Sequence, residues 1–421
     1  MSESQWIDVQ RSERRLKSYL PPTPVVSAHP LTQDDKGFGA NNELYYKCEH
    51  MRRTGSFKER GALNFLLQMS EEQRKVGVIA ASAGNHAQAL AYWGRKLGVP
   101  VTVVMPTIAP LTKVKNCRTL GATVVIHGAT FADARDHAGV LADEKKLLYV
   151  NGFDDPKIIS GAGVAGLEIL DQVPDVDVIV VPVGGGGIIS GIALAVKHIN
   201  PRVKIIGIES ENCPSVKEAL KAGKPVKVPM AVTLADGLAV PEMGENAFKI
   251  IQKLVDEVVT VPEKYISIAI LHLLEREKML LEGAGAAGVA GLFSGYLDHL
   301  KGQKVVTVLC GGNIDMTALG RVIERGLYCG GRLCQFDCAI SDRPGGLARF
   351  TRLLADTGVS VKEIVQERPY VSDINICSVH VTVETRDQSH LNHMVQSMSD
   401  HGYSIMKIDD GKWDHVKLSK L

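Results

Sequence analysis

Lys58 stands in the run Thr54-Gly55-Ser56-Phe57-Lys58-Glu59-Arg60-Gly61-Ala62, beside an aromatic ring and at the opening of an apolar segment. Gly55 and Ser56 permit a turn and a helix cap, and Phe57 supplies an apolar face. A lysine amine desolvated there has the lowered pKa that Schiff-base chemistry requires. A helical lysine is otherwise a solvated surface charge. Two further segments separate those readings. Ser82-Ala83-Gly84-Asn85-His86-Ala87 and the tetraglycine Gly184, Gly185, Gly186 and Gly187 each lie where a strand-like run meets a helix-like one. Consecutive glycine N–H groups can converge on an anion, and a helix start adds positive potential. An amine, an amide side chain and a phosphate-sized glycine loop together are what a pyridoxal phosphate (PLP) enzyme needs.

Each of these residues also has a plainer reading. The tetraglycine lacks the lysine and Ser/Thr of a nucleotide P-loop and is not a GxGxxG motif. Glu209 nevertheless follows it at about twenty positions, so a dinucleotide site and a simple tight turn both stay open. Asn85 can cap its helix or donate to a cofactor oxygen. His86 suits a packed or helix-terminal histidine better than a general base. Cys310, in Cys310-Gly311-Gly312-Asn313, ends a strand, which is where open α/β sheets place ligands, although buried cysteine is common.

The elements that must position these groups alternate along the chain from about Val76. Val76 to Ala81, Val101 to Met105, Thr123 to His127, Val178 to Val183, Val203 to Glu209 and Lys304 to Leu309 read as buried strands. Helices are expected over Asn85 to Leu97, Leu111 to Leu120, Phe131 to Ala142, Ile188 to Ile199 and Glu263 to Leu280. This alternation predicts a mostly parallel α/β sheet covered on both faces. Gly326 to Gly331, with three glycines, reads as a linker. Beyond it come a strand (Arg332 to Ile340), a turn at Asp342-Arg343-Pro344-Gly345-Gly346 and a helix (Leu347 to Thr357). Strands Val359 to Glu367 and Ile374 to Glu384, a helix Gln388 to His401 and a strand Tyr403 to Ile408 complete a βαββαβ, ferredoxin-like order.

At 421 residues the chain is long enough for two or three units with well-buried cores. Its 48 basic and 47 acidic residues form no one-sign block or basic stripe, which excludes an obvious nucleic-acid or anionic-membrane partner. Met1 to Lys17 lacks the apolar core of a secretion signal, and no stretch approaches a membrane span, so a soluble, cytoplasmic protein is expected. The final Ser419-Lys420-Leu421 is a peroxisomal address if the host is a eukaryote. The eight cysteines include no CxxC pair, and the irregular Cys329, Cys334 and Cys338 read as reduced thiols, with no metal site expected.

The combination of TGSFKERGA, SAGNHAQ, the tetraglycine, Ala235-Asp236-Gly237, Leu281-Glu282-Gly283-Ala284-Gly285 and CGGN resembles the threonine dehydratase (threonine ammonia-lyase) family of fold-type II PLP enzymes. The resemblance covers roughly residues 15 to 325. It implies a tryptophan synthase β-like catalytic domain over 1–328, with a smaller subdomain at about 50–155. Residues 329–421 are similar to an ACT regulatory domain, through Ile340-Ser341-Asp342-Arg343-Pro344-Gly345-Gly346-Leu347 and Val383-Glu384-Thr385-Arg386.

That resemblance implies roles. Lys58 would carry the cofactor, with Phe57 beside its ring, and Asn85 would bond its phenolic oxygen. Gly184, Gly185, Gly186 and Gly187 would cradle the phosphate, Cys310 would face the pyridine nitrogen, and Glu282 would lie near the ring. Ser82, Ala83, Gly84 and Asn85 would hold the substrate carboxylate. The implied reaction converts L-threonine to 2-oxobutanoate and ammonia, and L-serine to pyruvate. An amino-acid effector would act at the ACT loop Asp342 to Leu347, in a dimer or tetramer. Serine dehydratase, serine racemase and hydroxyaspartate ammonia-lyase are the neighbouring activities. Ala83 speaks against racemisation, since serine racemase carries a hydroxyl there. In the racemase-like metal segment Glu209 matches, but Ser215 stands where an acidic ligand is expected. A catalytically silent amino-acid sensor is the reading from a different class.

Overall fold

The computed structural model of the chain describes residues 3–29, 42–368, 375–409 and 412–415. The chain forms two compact units, Met1–Leu319 and Gly320–Leu421. The division falls earlier than the expected 328/329 boundary and inside the helix Met316–Cys329.

The first unit holds two sheets. One has six strands in the order Val25–Ser27, Glu43–Lys47, Lys304–Val308, Val178–Pro182, Lys204–Ser210 and Glu257–Val261. All its neighbours are parallel except the first pair. Every residue of Val178–Pro182 is buried, as a strand covered by helices on both faces requires. The smaller sheet is wholly parallel, in the order Thr123–Ile126, Val101–Met105, Val78–Ala81 and Leu148–Tyr149. Its core joins Leu63 and Leu66 of the helix Lys58–Leu67 to Val78, Ala80, Leu90, Trp93, Val103 and Met105.

The second unit is an antiparallel sheet in the order Ser360–Glu367, Ile376–Glu384, Leu333–Ser341, Ile405–Asp409 and Lys412–His415. The helices Gly346–Asp356 and Gln388–Asp400 complete the βαββαβ order. Cys334, Phe336, Phe350, Val379, Val381, Leu391 and Met394 form its core.

Two expectations are corrected, and one strand is added. The linker Gly326 to Gly331 is helical as far as Cys329, because Leu319, Val322, Ile323 and Leu327 keep an apolar stripe at helical spacing. One interior glycine costs a helix only about 1 kcal/mol, and the left-handed turn comes at Gly331, with φ +68°. The helix from Glu263 stops at Glu275, since Lys278 is in the left-handed region and Met279 N–H donates back to Leu273 O. The added strand, Lys412–His415, pairs antiparallel with Ile405–Asp409, and Asp410-Gly411 between them in the sequence is a hairpin signal. Ser419-Lys420-Leu421 lies outside the described residues. Among those described, no helix is long and apolar enough to cross a membrane.

Candidate active site

Lys58 opens the helix Lys58–Leu67, and the loop before it is stitched to the end of a central strand of the larger sheet. Ser56 bridges Gly311, Phe57 N–H donates to Cys310 O at 3.0 Å, and Gly312 N–H donates to Gly55 O at 2.9 Å. The next residue, Glu59, is fully buried and accepts from Thr54 N–H and from Trp93 Nε1. These bonds fix where the lysine side chain begins. Its amine donates to Gly152 O at 2.7 Å and lies 5.0 Å from the Phe57 ring centroid. Burial lowers its pKa to about 8, against the opposing pull of Cys310 and Glu282.

Cys310 and Glu282 close the same space. The Cys310 thiol, 4% exposed, lies 3.4 Å from Ala284 O, and burial raises its pKa far above neutrality. It is a neutral thiol at any physiological pH. Glu282 precedes the helix Gly283–Phe293 without a side-chain bond to it, and burial, followed by the charge of Asp236, raises its pKa to about 7. Asn85, Lys113 and Lys58 oppose that rise. Asn85 Nδ2 donates to Glu282 Oε1 at 2.6 Å, while Asn85 Oδ1 accepts from Asn313 Nδ2 at 2.8 Å. Gly311 leaves room for this pair. A Cβ there would stand 2.3 Å from Glu282 Oε1 and 3.0 Å from Asn85 Nδ2.

Asn85 begins the helix Asn85–Leu97 directly after the strand Val78–Ala81 and the turn Ser82, Ala83 and Gly84, in which Gly84 N–H donates to Ser82 Oγ. Its neighbour His86 is buried, and burial together with Lys58 lowers its pKa to about 3. Because a carbonyl can only accept, the contact of Nε2 with Val150 O at 3.2 Å puts the ring proton on Nε2. His86 is therefore a packed neutral ring, the plainer of its two readings.

The tetraglycine leaves the strand Val178–Pro182 and enters the helix Gly187–Ile199. Gly186 has φ +92°, a backbone that side chains resist. A Cβ on Gly185 would stand 2.4 Å from the Phe153 ring, and one on Gly187 would stand 2.5 Å from Phe153 O. Phe153 follows Gly152, the lysine's acceptor, so one turn touches both the amine and the glycine loop. Among the described residues, the N–H groups of Gly184 to Gly187 have no protein acceptor. The hydroxyls of Thr54 and Ser56 are likewise buried without a partner. The unbonded N–H groups of the glycine loop, linked through Phe153 and Gly152 to a buried amine, fit a phosphate-bearing aldehyde such as PLP.

The structure thus brings Lys58, Phe57, Asn85, Glu282, Cys310 and the glycine loop into one neighbourhood. Sequence reading missed Gly152, Phe153 and Asn313, and also Lys113, which pairs with Asp236 at 2.8 Å. The tail of CGGN was the available signal for Asn313; Lys113 carried none. Glu209 stands apart, its oxygens taken by Val216 and Lys217 N–H, and burial raises its pKa to about 7. Glu209 is fully buried and tied to the backbone of its own neighbours, so it is not presented to a dinucleotide ribose. No group of three metal-ligating side chains occurs among the described residues.

Comparison with known proteins agrees with this geometry. The model of the family described as pyridoxal-phosphate dependent enzyme matches residues 16–311. An L-threonine ammonia-lyase of Thermotoga maritima is 41% identical over 399 residues, covering 94% of this chain and 98% of the relative. Processed threonine deaminase isoform 2 of Solanum lycopersicum superposes with a TM-score of 0.72 at 36% identity, over 77% of this chain and 88% of that one. Maize serine racemase superposes with a TM-score of 0.70 at 32% identity, over 76% and 97%. The chain therefore belongs to the family of pyridoxal-phosphate dependent enzymes, in the branch that holds the threonine ammonia-lyases.

Proposed function

We propose that the chain deaminates L-threonine to 2-oxobutanoate and ammonia, and L-serine to pyruvate, with Lys58 both holding PLP and serving as the acid/base group at Cα. The observation that carries this reading is the buried Lys58 amine, its pKa lowered to about 8 within reach of the Gly152 carbonyl, Cys310 and Glu282. Bound PLP supplies an electron-accepting ring that stabilises negative charge at the substrate Cα. The remaining tasks fall to side chains and backbone. The neutral fraction of the Lys58 amine takes the Cα proton. Asn85 donates to the cofactor's phenolic oxygen, and Gly184, Gly185, Gly186 and Gly187 hold the phosphate through their N–H groups. Phe57 would pack beside the cofactor ring, and Glu282 would lie near it. Ser82, Ala83, Gly84 and Asn85 form the turn for the substrate carboxylate.

Cys310 would be the partner of the pyridine nitrogen in this reading. A thiol kept neutral by burial would not strongly favour a protonated ring, which would suit elimination better than reprotonation. Ala83 has no proton to give, which leaves Lys58 alone at Cα and disfavours racemisation. The atoms balance: threonine loses one water to give an enamine, whose imine form takes one water back and releases ammonia. The test is keto-acid release by PLP-loaded protein from L-threonine, L-serine, D-serine and threo-3-hydroxyaspartate. L-Threonine should be turned over fastest; equal or faster turnover of another substrate overturns the assignment. Absence of any keto acid would favour the silent-sensor reading.

The second unit is proposed to be an ACT-type regulatory domain that binds an amino-acid effector at the Asp342 to Leu347 loop, within a dimer or tetramer. Its βαββαβ order supports this reading, as does the built character of the loop. Asp342 accepts from Arg368 Nε at 2.9 Å, which lowers the Asp342 pKa, and Gly345 has φ +85° just before the helix Gly346–Asp356.

A further inference from the structure

Asn313 is bonded on both of its amide hydrogens. Its Nδ2 donates to Thr54 O at 2.7 Å and to Asn85 Oδ1 at 2.8 Å. Thr54 O is a main-chain carbonyl and can only accept, so the nitrogen of Asn313 must face it. The same nitrogen then obliges Asn85 to turn its oxygen toward Asn313 and its nitrogen toward Glu282, where the bond measures 2.6 Å. A backbone carbonyl thus dictates, through one intervening amide, which end of Asn85 faces Glu282. The relay is tight: a Cβ on Gly55 would stand 2.4 Å from Asn313 Oδ1, so the ring of contacts closes on both sides of the amide.

We propose that Asn313 is a positioning residue, holding Asn85 with its N–H groups toward the cofactor's ring oxygen and Glu282 and preventing the flipped orientation. The inference rests on the proposed role of Asn85 toward PLP. Two consequences follow from donor and acceptor chemistry. Asn313→Asp replaces the donor by an acceptor, so Asn85 gains by rotating its NH₂ toward the new carboxylate. Its carbonyl then faces the ring oxygen and Glu282, two acceptors. Asn313→Ser keeps one donor in place of two and leaves Asn85 free to adopt either orientation, a milder loss.

The experiment is a double-mutant cycle read by PLP affinity, titrating the visible absorbance band of the full-length protein. The parent, Asn313→Asp, Asn85→Ala and the double variant are compared, with thermal unfolding as the check on folding. Asn313→Asp should weaken PLP binding by about tenfold or more, the scale of one hydrogen bond to a charged group. In the Asn85→Ala background it should change affinity by less than about twofold, since the residue through which it acts is gone. If Asn313→Asp fails to fold, Asn313→Ser is carried through the same cycle and should show the smaller loss, again only when Asn85 is present. An equal penalty in both backgrounds, or none in the parent background, overturns the positioning role. A parent protein that develops no band with PLP would instead sink the reading of the site itself, so the two failures are distinguishable.

Discussion

Burial moves Lys58 and Glu282 in opposite senses, because one is charged when protonated and the other when not. Burial costs the charged form of each, which brings the lysine down to about 8 and the carboxyl up to about 7. The two groups therefore titrate near the same pH. For Glu282 the sign of the stability effect is set by its raised value. Its contribution to the fold is full below about pH 4.5, its ordinary value, and is lost as pH rises through about 7. Glu282→Gln in cofactor-free protein should therefore flatten the fall of Tm across that window and leave the variant about 2 °C or more above the parent at pH 8. Calorimetric scans at several pH values measure it. Parallel curves for the two proteins would mean that Glu282 is ionised without cost. His86 cannot share the acid/base work, since a ring pushed down to about 3 holds no second proton near neutrality.

Elements bring these residues together from distant parts of the chain. The start of the helix Lys58–Leu67 and the C-terminal ends of the strands Lys304–Val308 and Val178–Pro182 meet in one neighbourhood, where Gly152 and Phe153 touch the amine and the glycine loop. Gly185→Ala forces a methyl into the Phe153 ring and should weaken PLP binding by about tenfold or more, as read by absorbance titration. Unchanged affinity would show that the loop is not the phosphate cradle. Strands such as Val101–Met105 and helices such as Asn85–Leu97 were legible because apolar periodicity and cap residues mark them. The strand Glu43–Lys47 was not. It carries a fully buried lysine whose amine donates to Glu168, Gln172 and Thr23 O, with Arg60 bridging Glu49 and Glu168 beside it. Charges that pair only in three dimensions read as surface in one. The site shows the same division. Lys58, Asn85, the glycines, Cys310 and Asn313 sit in local patterns, whereas Gly152, Phe153 and Lys113 acquire their roles from partners far along the chain.

At the scale of the whole molecule, the chain combines a two-sheet catalytic unit with a small antiparallel unit of βαββαβ order. If the second unit senses an amino acid, isoleucine, valine or another aliphatic amino acid should change threonine turnover of the intact chain by at least about twofold, within the usual range of coupling between sites. Indifference to all of them would leave that unit without a regulatory role. The proposed chemistry of this chain turns on the Lys58 amine. The most direct measurement is borohydride reduction of the PLP-loaded protein, followed by peptide mass mapping. The phosphopyridoxyl mass should fall on the peptide that carries Lys58, with loss of the visible band. Reduction that labels another lysine, or none, would contradict the account.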